Sequence, residues 1–407
     1  MTNATALVVG GGPAGSVAAA MLARAGVRVR LIDRARFPRP KLCGDTLNPG
    51  ALALLQRFGD GERHDLVGAL RRRALSLSGM TVTGPGGATV TADYGDGLEA
   101  LSVSRSVLDL LLIERAAAAG VEIVEGVLAI APVGDPTRVT GVRVRRREQT
   151  AVPREEVWPA GLVVIADGRG SRLASALGLS RFARRPKRWA FGAYFAEVRG
   201  TRTRGEMHLR AGSYTGIAPL PGGLTNVCVV CQTGGQSRTG VDQGTMLERT
   251  VGSDPLLGDR FASARRVSGV TVLGPLAIDS STSGVPGALL AGDAAGFIDP
   301  MTGDGLRFAI EGAMLAAEAG VLELSTGQPA WRGLQEARRR AFAGKWHFNR
   351  MLRLLAGSPH GVRFAAHVAG RWNWPVQQVI RFAGDGGAGG GVRGQRHDVA
   401  GALRSRA

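Results

Sequence analysis

Apolar residues along this chain follow three rhythms, and each predicts a different kind of element. The unbroken run Ala6-Leu-Val-Val-Gly has the length and apolarity of a buried strand, and the alanine-rich stretch Gly15 to Ala25 predicts a helix. Val27 to Asp33 predicts a second strand, completing a βαβ unit of about thirty residues. Asn48 to Phe58 predicts a helix that starts near Pro49 and stops before Gly59. Ser104 to Gly120 is amphipathic at helical spacing, with Gly120 as a stop signal before a strand over Val121 to Glu125. Leu162 to Ala166 is another unbroken apolar strand.

From Arg188 to Leu273 the rhythm changes to alternating, β-branched runs. Ala190 to Val198, Tyr214 to Pro219 and Leu224 to Gln232 predict an antiparallel sheet, separated by turns such as Pro221-Gly-Gly. Ala74 to Val90, with its Gly84-Pro-Gly-Gly turn, is expected to add strands to it. The α/β pattern returns with Gly287-Ala-Leu-Leu-Ala-Gly-Asp and a long helix over Leu306 to Glu323. The chain therefore divides into a discontinuous α/β domain (1–75, 100–180 and 272–325) and an antiparallel-sheet domain (76–99 and 181–271). A helical segment (326–383) and a Gly- and Arg-rich tail (384–407), expected to be disordered, complete it.

Composition fits this picture. The 407 residues, 44% hydrophobic and 21% charged, suit a globular protein with two packed domains. No apolar run approaches the roughly 18 residues of a spanning helix. The apolar start Ala4 to Ala25 is broken by Gly10, Gly11, Gly12 and Pro13 and lacks a basic leader, which predicts strand-turn-helix and a cytoplasmic location. The three cysteines, Cys43, Cys228 and Cys231, predict no disulfide framework. Cys228 and Cys231 sit three apart on a predicted strand and so diverge, and no metal site is expected. The net charge of +18 comes almost wholly from arginine, because Lys41, Lys187 and Lys345 are the only lysines. Such a surface attracts acidic partners, but no nucleic-acid-binding motif accompanies it, and nucleic acid is not expected as a partner.

The chemistry begins at Gly10-Gly-Gly12-Pro13-Ala14-Gly15, between the first strand and helix. Gly10 permits the tight turn, Gly12 lets backbone approach a pyrophosphate, and Gly15 lets helix and sheet close together. Free N–H groups at the helix start then face the phosphates. Asp33, ending the second strand, is spaced to bond a ribose hydroxyl. Glycine spacing alone leaves FAD and NAD open.

Two later stretches resemble flavoprotein hydroxylases and their relatives. Ile165-Ala-Asp167-Gly-Arg-Gly-Ser-Arg is similar to their Asp-Gly motif, and Ala291-Gly292-Asp293-Ala-Ala-Gly-Phe-Ile-Asp-Pro300 to their Gly-Asp motif. The resemblance, which runs to about residue 325, implies FAD as cofactor. It also implies an α/β fold: a Rossmann-like FAD-binding domain of the glutathione-reductase type, with the antiparallel sheet inserted as substrate domain. The cofactor contacts it implies are Gly10, Gly12, Pro13, Ala14, Gly15, Asp33, Arg34, Cys43, Arg105, Val127, Asp167, Gly292, Asp293, Pro300, Gly303, Gly305 and Leu306.

Within that superfamily, Phe37-Pro-Arg-Pro-Lys-Leu-Cys43-Gly-Asp and Asp299-Pro-Met-Thr-Gly-Asp-Gly-Leu-Arg-Phe-Ala resemble the geranylgeranyl-reductase-like branch. There the matching cysteine lies near the flavin, a role the resemblance assigns to Cys43. Arg105-x-x-x-Asp109 matches an arginine used near the FAD phosphates. The chain departs from the branch at Tyr214-Thr-Gly-Ile-Ala-Pro219, where prenyl reductases carry bulky aromatics, and it lacks the tryptophan-rich segment of flavin halogenases.

Hydroxylation and double-bond reduction both remain open, with the missing aromatics favouring an NAD(P)H-dependent hydroxylase of a lipophilic aromatic, polyketide- or quinone-like molecule. NAD(P)H is expected to bind transiently, since no second dinucleotide fingerprint appears. A reductase needs a proton donor, for which Cys43 and Tyr214 are the candidates. His208, alternating on a predicted strand, is a weaker candidate for the flavin side. The basic stretch Arg353 to Arg381, with Trp372 and Trp374, is expected to cover the site mouth or to touch an anionic membrane peripherally.

Overall fold

Apolar runs without alternation belong to strands buried on both faces. The computed structural model bears this out in a six-stranded sheet ordered Gly284–Val285, Ala288–Leu290, Leu162–Ile165, Thr5–Val9, Arg28–Asp33 and Glu122–Glu125. Its last five strands are parallel. The model describes residues 5–384 apart from 60–64, 147–153, 183–187, 233–242, 298–299, 358–359, 362–366 and 368–370. Ala6, Val8 and Leu31 face one way, against the helices Pro13–Arg24 and Gly305–Thr326. Leu7, Val9 and Ile32 face the other.

That second face is covered by an element the sequence pattern does not predict. Val127–Gly134, Val139–Arg146 and Glu155–Pro159 form a three-stranded antiparallel sheet whose Val142, Val144 and Trp158 bury against the parallel strands.

The substrate-domain sheet runs Arg265–Arg266, Arg188–Ala196, Leu224–Gln232, Ser213–Pro219, Arg204–Arg210, Gly79–Thr83 and Thr89–Asp93. Segments far apart in sequence thus join one sheet, with Gly79–Thr83 pairing in parallel with Arg204–Arg210. The boundary at 272 moves: Thr271–Leu273 pairs with Arg188–Ala196, and Ile278–Ser280 pairs with Ser180–Phe182. The nucleotide domain therefore resumes nearer Gly284, because strand pairing continues past the last clear alternating run.

One face of this sheet packs Phe195, Ile217, Val227 and Val229 against Leu247, Val251 and Leu257 of the helical cover. The opposite face looks towards the nucleotide domain and carries Ala190, Tyr214 and Val230. Gly192 is needed on this face, since a Cβ there would lie 2.2 Å from Leu42 Cδ1. The absent side chain lets the Lys41–Thr46 segment lie across the sheet.

The C-terminal part supplies the helices Trp331–Gly357 and Asn373–Ala383. Val379 and Ile380 of the second reach the interdomain cavity, placing it as a cover over the site. Trp372 and Trp374 are exposed. No helix among the described residues is long and apolar enough to cross a membrane. The expected tail, 385–407, lies outside the described residues.

Candidate flavin site

The phosphate turn shows three glycines with three different demands. Gly10 has φ +104°, and a Cβ there would fall 2.5 Å from the Ala166 carbonyl oxygen. A Cβ on Gly15 would sit 1.7 Å from the Gly10 carbonyl oxygen. Gly12, the N-cap of Pro13–Arg24, has φ −77°, a conformation any residue adopts. A Cβ on it would meet only the tips of Arg39 and Arg105, at 3.7 and 3.9 Å. The space above Gly12 is therefore kept open by sequence for something other than protein. Asp33 closes the turn: Oδ2 accepts from Gly11 N–H at 2.7 Å and Oδ1 from Ala35 N–H at 2.8 Å.

Both arginines above Gly12 are held by one carboxylate. Arg105 donates twice to the fully buried Asp109, at 2.8 and 2.9 Å, and Arg39 Nη1 lies 3.4 Å from the same Asp109. Burial pulls the Arg105 guanidinium down, but Asp109 and Cys43 outweigh it and leave it more basic than an ordinary arginine. Two fixed cations over a helix N-terminus suit a pyrophosphate. Arg105→Ala would leave buried Asp109 only the longer Arg39 contact and is expected to cost about 2–3 kcal/mol of stability. It should also weaken FAD binding. Thermal unfolding and FAD titration check both, and unchanged values would remove Arg105 from the site.

Beyond the turn lies an interdomain cavity of about 450 Å³. Its nucleotide-domain wall includes Pro13, Ala14, Gly292, Asp293, Gly303, Gly305 and Leu306. Gly292 has φ +59°, and a Cβ there would crowd the Ala14 Cβ at 2.7 Å. Lys41 lines the same wall, near both Gly168 and Asp293. Burial, then Arg105, lowers its pKa, while Asp293 opposes. Burial raises the Asp293 carboxyl, and Lys41, Arg105 and Arg169 pull it back. Helix Gly305–Thr326 begins at the cavity, and the buried Asp304 before it accepts from Asn48 Nδ2 at 3.0 Å.

Cys43 is on the cavity wall. Burial pushes its thiol pKa up, with the Asp45 carboxylate adding to the rise, while the Arg105 guanidinium and the Asp45 backbone N–H pull it back. The sheet domain completes the enclosure with Ala190, Met207, Leu209, Gly216, Ala218 and Cys228, an almost wholly apolar surface.

Several sequence candidates fall elsewhere. Tyr214 is buried with Ala190, Val230 and Leu276 and is not among the lining residues, so it is badly placed to give a proton to anything in the cavity. His208 is on the far side of its strand from Met207 and Leu209; it bonds Thr83 and Glu206, both at 2.9 Å. Glu206 is in turn paired with Arg260, and although burial raises it, Arg260 and His208 hold it at about 2. This network braces the sheet against its helical cover. Arg34 and Asp167 are exposed beside the turn, and Val127 opens the unpredicted sheet with its side chain in the core. Pro300 begins a short turn, Pro300–Thr302, while Asp299 lies outside the described residues.

Composition and spacing did not single out Arg39, Lys41, Asp45, Tyr194 or Asn226. The Phe37-to-Asp45 run that drew attention to Cys43 contains three of them, and its two cations were the available signal.

The residues present fit FAD: an open cradle at Gly12, a cationic pair over it, Asp33 at one end and Asp293 on the cavity wall. A family model described as an FAD binding domain matches residues 3–345. The chain is 31% identical to the menaquinone reductase of Mycolicibacterium smegmatis, over 94% of this chain and 92% of that protein. It is 27% identical to a digeranylgeranylglycerophospholipid reductase of Methanosarcina mazei, over 84% and 79% of the two chains. Among solved structures, the myxobacterial chondrochloren halogenase superposes with a TM-score of 0.76 at 23% identity, covering 94% of this chain and 97% of that one. A geranylgeranyl bacteriochlorophyll reductase-like protein from Thermoplasma acidophilum gives 0.69 at 19%, covering 94% and 91%. These structural likenesses bear on the fold alone.

Proposed function

This chain belongs to the FAD-binding-domain flavoprotein oxidoreductases, in their geranylgeranyl-reductase-like branch, and from that premise we propose that it saturates a carbon–carbon double bond in the isoprenoid portion of a lipophilic molecule such as a prenylated quinone. The observation that carries the reading is the Cys43 thiol on the wall of an apolar interdomain cavity, next to the residues that fit FAD. FAD held at the Gly12 turn by Arg39 and Arg105 would, once reduced, supply hydride to one alkene carbon, with NAD(P)H as the proposed source of those electrons. The other carbon needs a proton, and Cys43 is the donor on the wall, regaining its proton from solvent after turnover. Lys41 and Arg105 offset the negative charge of the cofactor and of the thiolate left behind. The apolar lining, with Val379 and Ile380 over it, excludes water and accepts a hydrocarbon chain.

The hydroxylase expectation leaned on the missing aromatics in Tyr214 to Pro219. Gly216 and Ala218 of that run are cavity wall, where small residues widen the space without removing the thiol. A relative that matches 94% of the chain is named a menaquinone reductase. The test is anaerobic incubation of chemically reduced protein with a prenylated quinone. Product with two added hydrogens and no requirement for oxygen is expected. Product carrying one new oxygen, formed only in air, would reverse the assignment to hydroxylation.

A further inference from the structure

Two residues after Cys43 the same turn carries an acid that the proposed chemistry leaves unused. Asp45 is fully buried and sits at φ +52°, a left-handed conformation that aspartate tolerates better than most residues. Its Oδ2 accepts from Tyr194 Oη at 2.7 Å and from Asn226 Nδ2 at 2.5 Å. The same Asn226 nitrogen lies 2.8 Å from the Cys43 carbonyl oxygen. The Asp45 carbonyl accepts from Val103 N–H at 2.8 Å, just ahead of the Arg105–Ala118 helix. One residue thus joins two strands of the substrate sheet to the turn that carries Cys43.

The sulfur of Cys43 is pulled in two directions. Burial is the largest influence and favours the thiol, while the Arg105 guanidinium favours thiolate. The Asp45 carboxylate opposes Arg105 by like-charge repulsion, adding to the effect of burial. A proton donor has to keep its proton until the alkene needs it. We propose that Asp45, pinned by Tyr194 and Asn226, is a positioning residue that both aims Cys43 at the cavity and keeps it protonated against Arg105. The purpose assigned to this arrangement rests on the reading of Cys43 as donor; the charge coupling itself does not.

The groups facing this pair are Tyr194 and Asn226 from the sheet and Arg105 from the helix. Burial raises the Asp45 carboxyl to about 6, with Tyr194, Asn226 and Arg105 holding it from going higher. It is therefore ionised across the range in which a thiol titrates.

The experiment measures alkylation of Cys43 by iodoacetamide against pH in FAD-loaded protein, resolved from Cys228 and Cys231 by peptide mass spectrometry. Asp45→Asn is expected to lower the midpoint by about one pH unit, a roughly tenfold gain in thiolate below both midpoints. Tyr194→Phe removes a hydrogen bond but keeps the carboxylate, and should leave the midpoint within about 0.3 units of the parent. An unmoved or raised midpoint in Asp45→Asn overturns the proposal, as does an equal shift in both variants, which would indicate packing rather than charge. If Asp45→Asn does not fold, Asp45→Ser reads the same midpoint; loss of fold in both would leave Asp45 purely structural and also overturn it. Product carrying one new oxygen and formed only in air would sink the reductase assignment without touching this result.

Discussion

Gly12→Val is expected to fold and to come off the column colourless, whereas Gly15→Ala is expected not to fold at all. The two glycines are three residues apart in one motif, yet the atoms around them differ. A Cβ on Gly15 would overlap the Gly10 carbonyl oxygen at 1.7 Å, and both belong to backbone that the parallel sheet and its helix fix. Relief requires the helix to move away from the sheet, a cost of about 4 kcal/mol or more. A Cβ on Gly12 meets only two arginine tips at the ordinary contact distances of 3.7 and 3.9 Å, and its φ of −77° suits valine. Replacing an N-cap glycine in this way costs about 1 kcal/mol. The valine methyls would instead occupy the space left for pyrophosphate, and an affinity loss of at least about a hundredfold, about 2.7 kcal/mol, is expected. Flavin absorbance after desalting and thermal unfolding of the apoprotein separate the outcomes. Yellow Gly12→Val protein would show that the cofactor does not lie against this turn.

Cys43→Ala should retain FAD and its reduction by an external donor but lose about 10²–10⁴-fold in the reoxidation of reduced flavin by alkene substrate. The substitution removes the sulfur whose charge couples to Arg105, while Asp109 still holds the guanidinium through two hydrogen bonds. The phosphate end of the site is thereby left intact, and the loss can be read as chemistry rather than binding. Anaerobic single-turnover mixing gives the rate, and flavin absorbance gives occupancy. Wild-type reoxidation with Cys43→Ala would eliminate the thiol as proton donor and leave Tyr94, which lines the cavity where Tyr214 does not, as the tyrosine to test next.

The tyrosine misplacement shows where sequence reasoning stopped. Tyr214 was singled out because its run aligns with a motif facing the flavin in related enzymes, and its strand does border the cavity through Gly216 and Ala218. Two residues along the strand the cavity has ended, and Tyr214 is under Leu276 in a packed cluster. Tyr194, which no motif marked, lies on the same face of the sheet two strands away and reaches Asp45. His208 failed for a related reason: alternation put it on one of two faces, and the choice between them depends on which face the helices cover. The strands Val139–Arg146 and Glu155–Pro159 went unpredicted because arginine and glutamate interrupt their apolar positions, whereas Val127–Gly134 is an uncharged run, broken by Pro132, whose strand signal the sequence did carry.

Within the sequence itself lay the βαβ unit, the three glycines, the order of the flavin motifs and the discontinuous division of the chain. Each of these is local: a few adjacent residues set a strand period, a helix stop or a turn that only glycine can make. Tertiary structure alone decided what faces the cavity. The carboxylate of Asp45 meets Tyr194 and Asn226 across 149 and 181 residues, and Arg105 meets Cys43 across the domain, contacts that exist only once strand register and helix docking are set. The cofactor was legible because backbone geometry demands particular residues at particular spacings. The surroundings of the thiol were not, because hydrogen bonds between distant side chains leave no period in the chain.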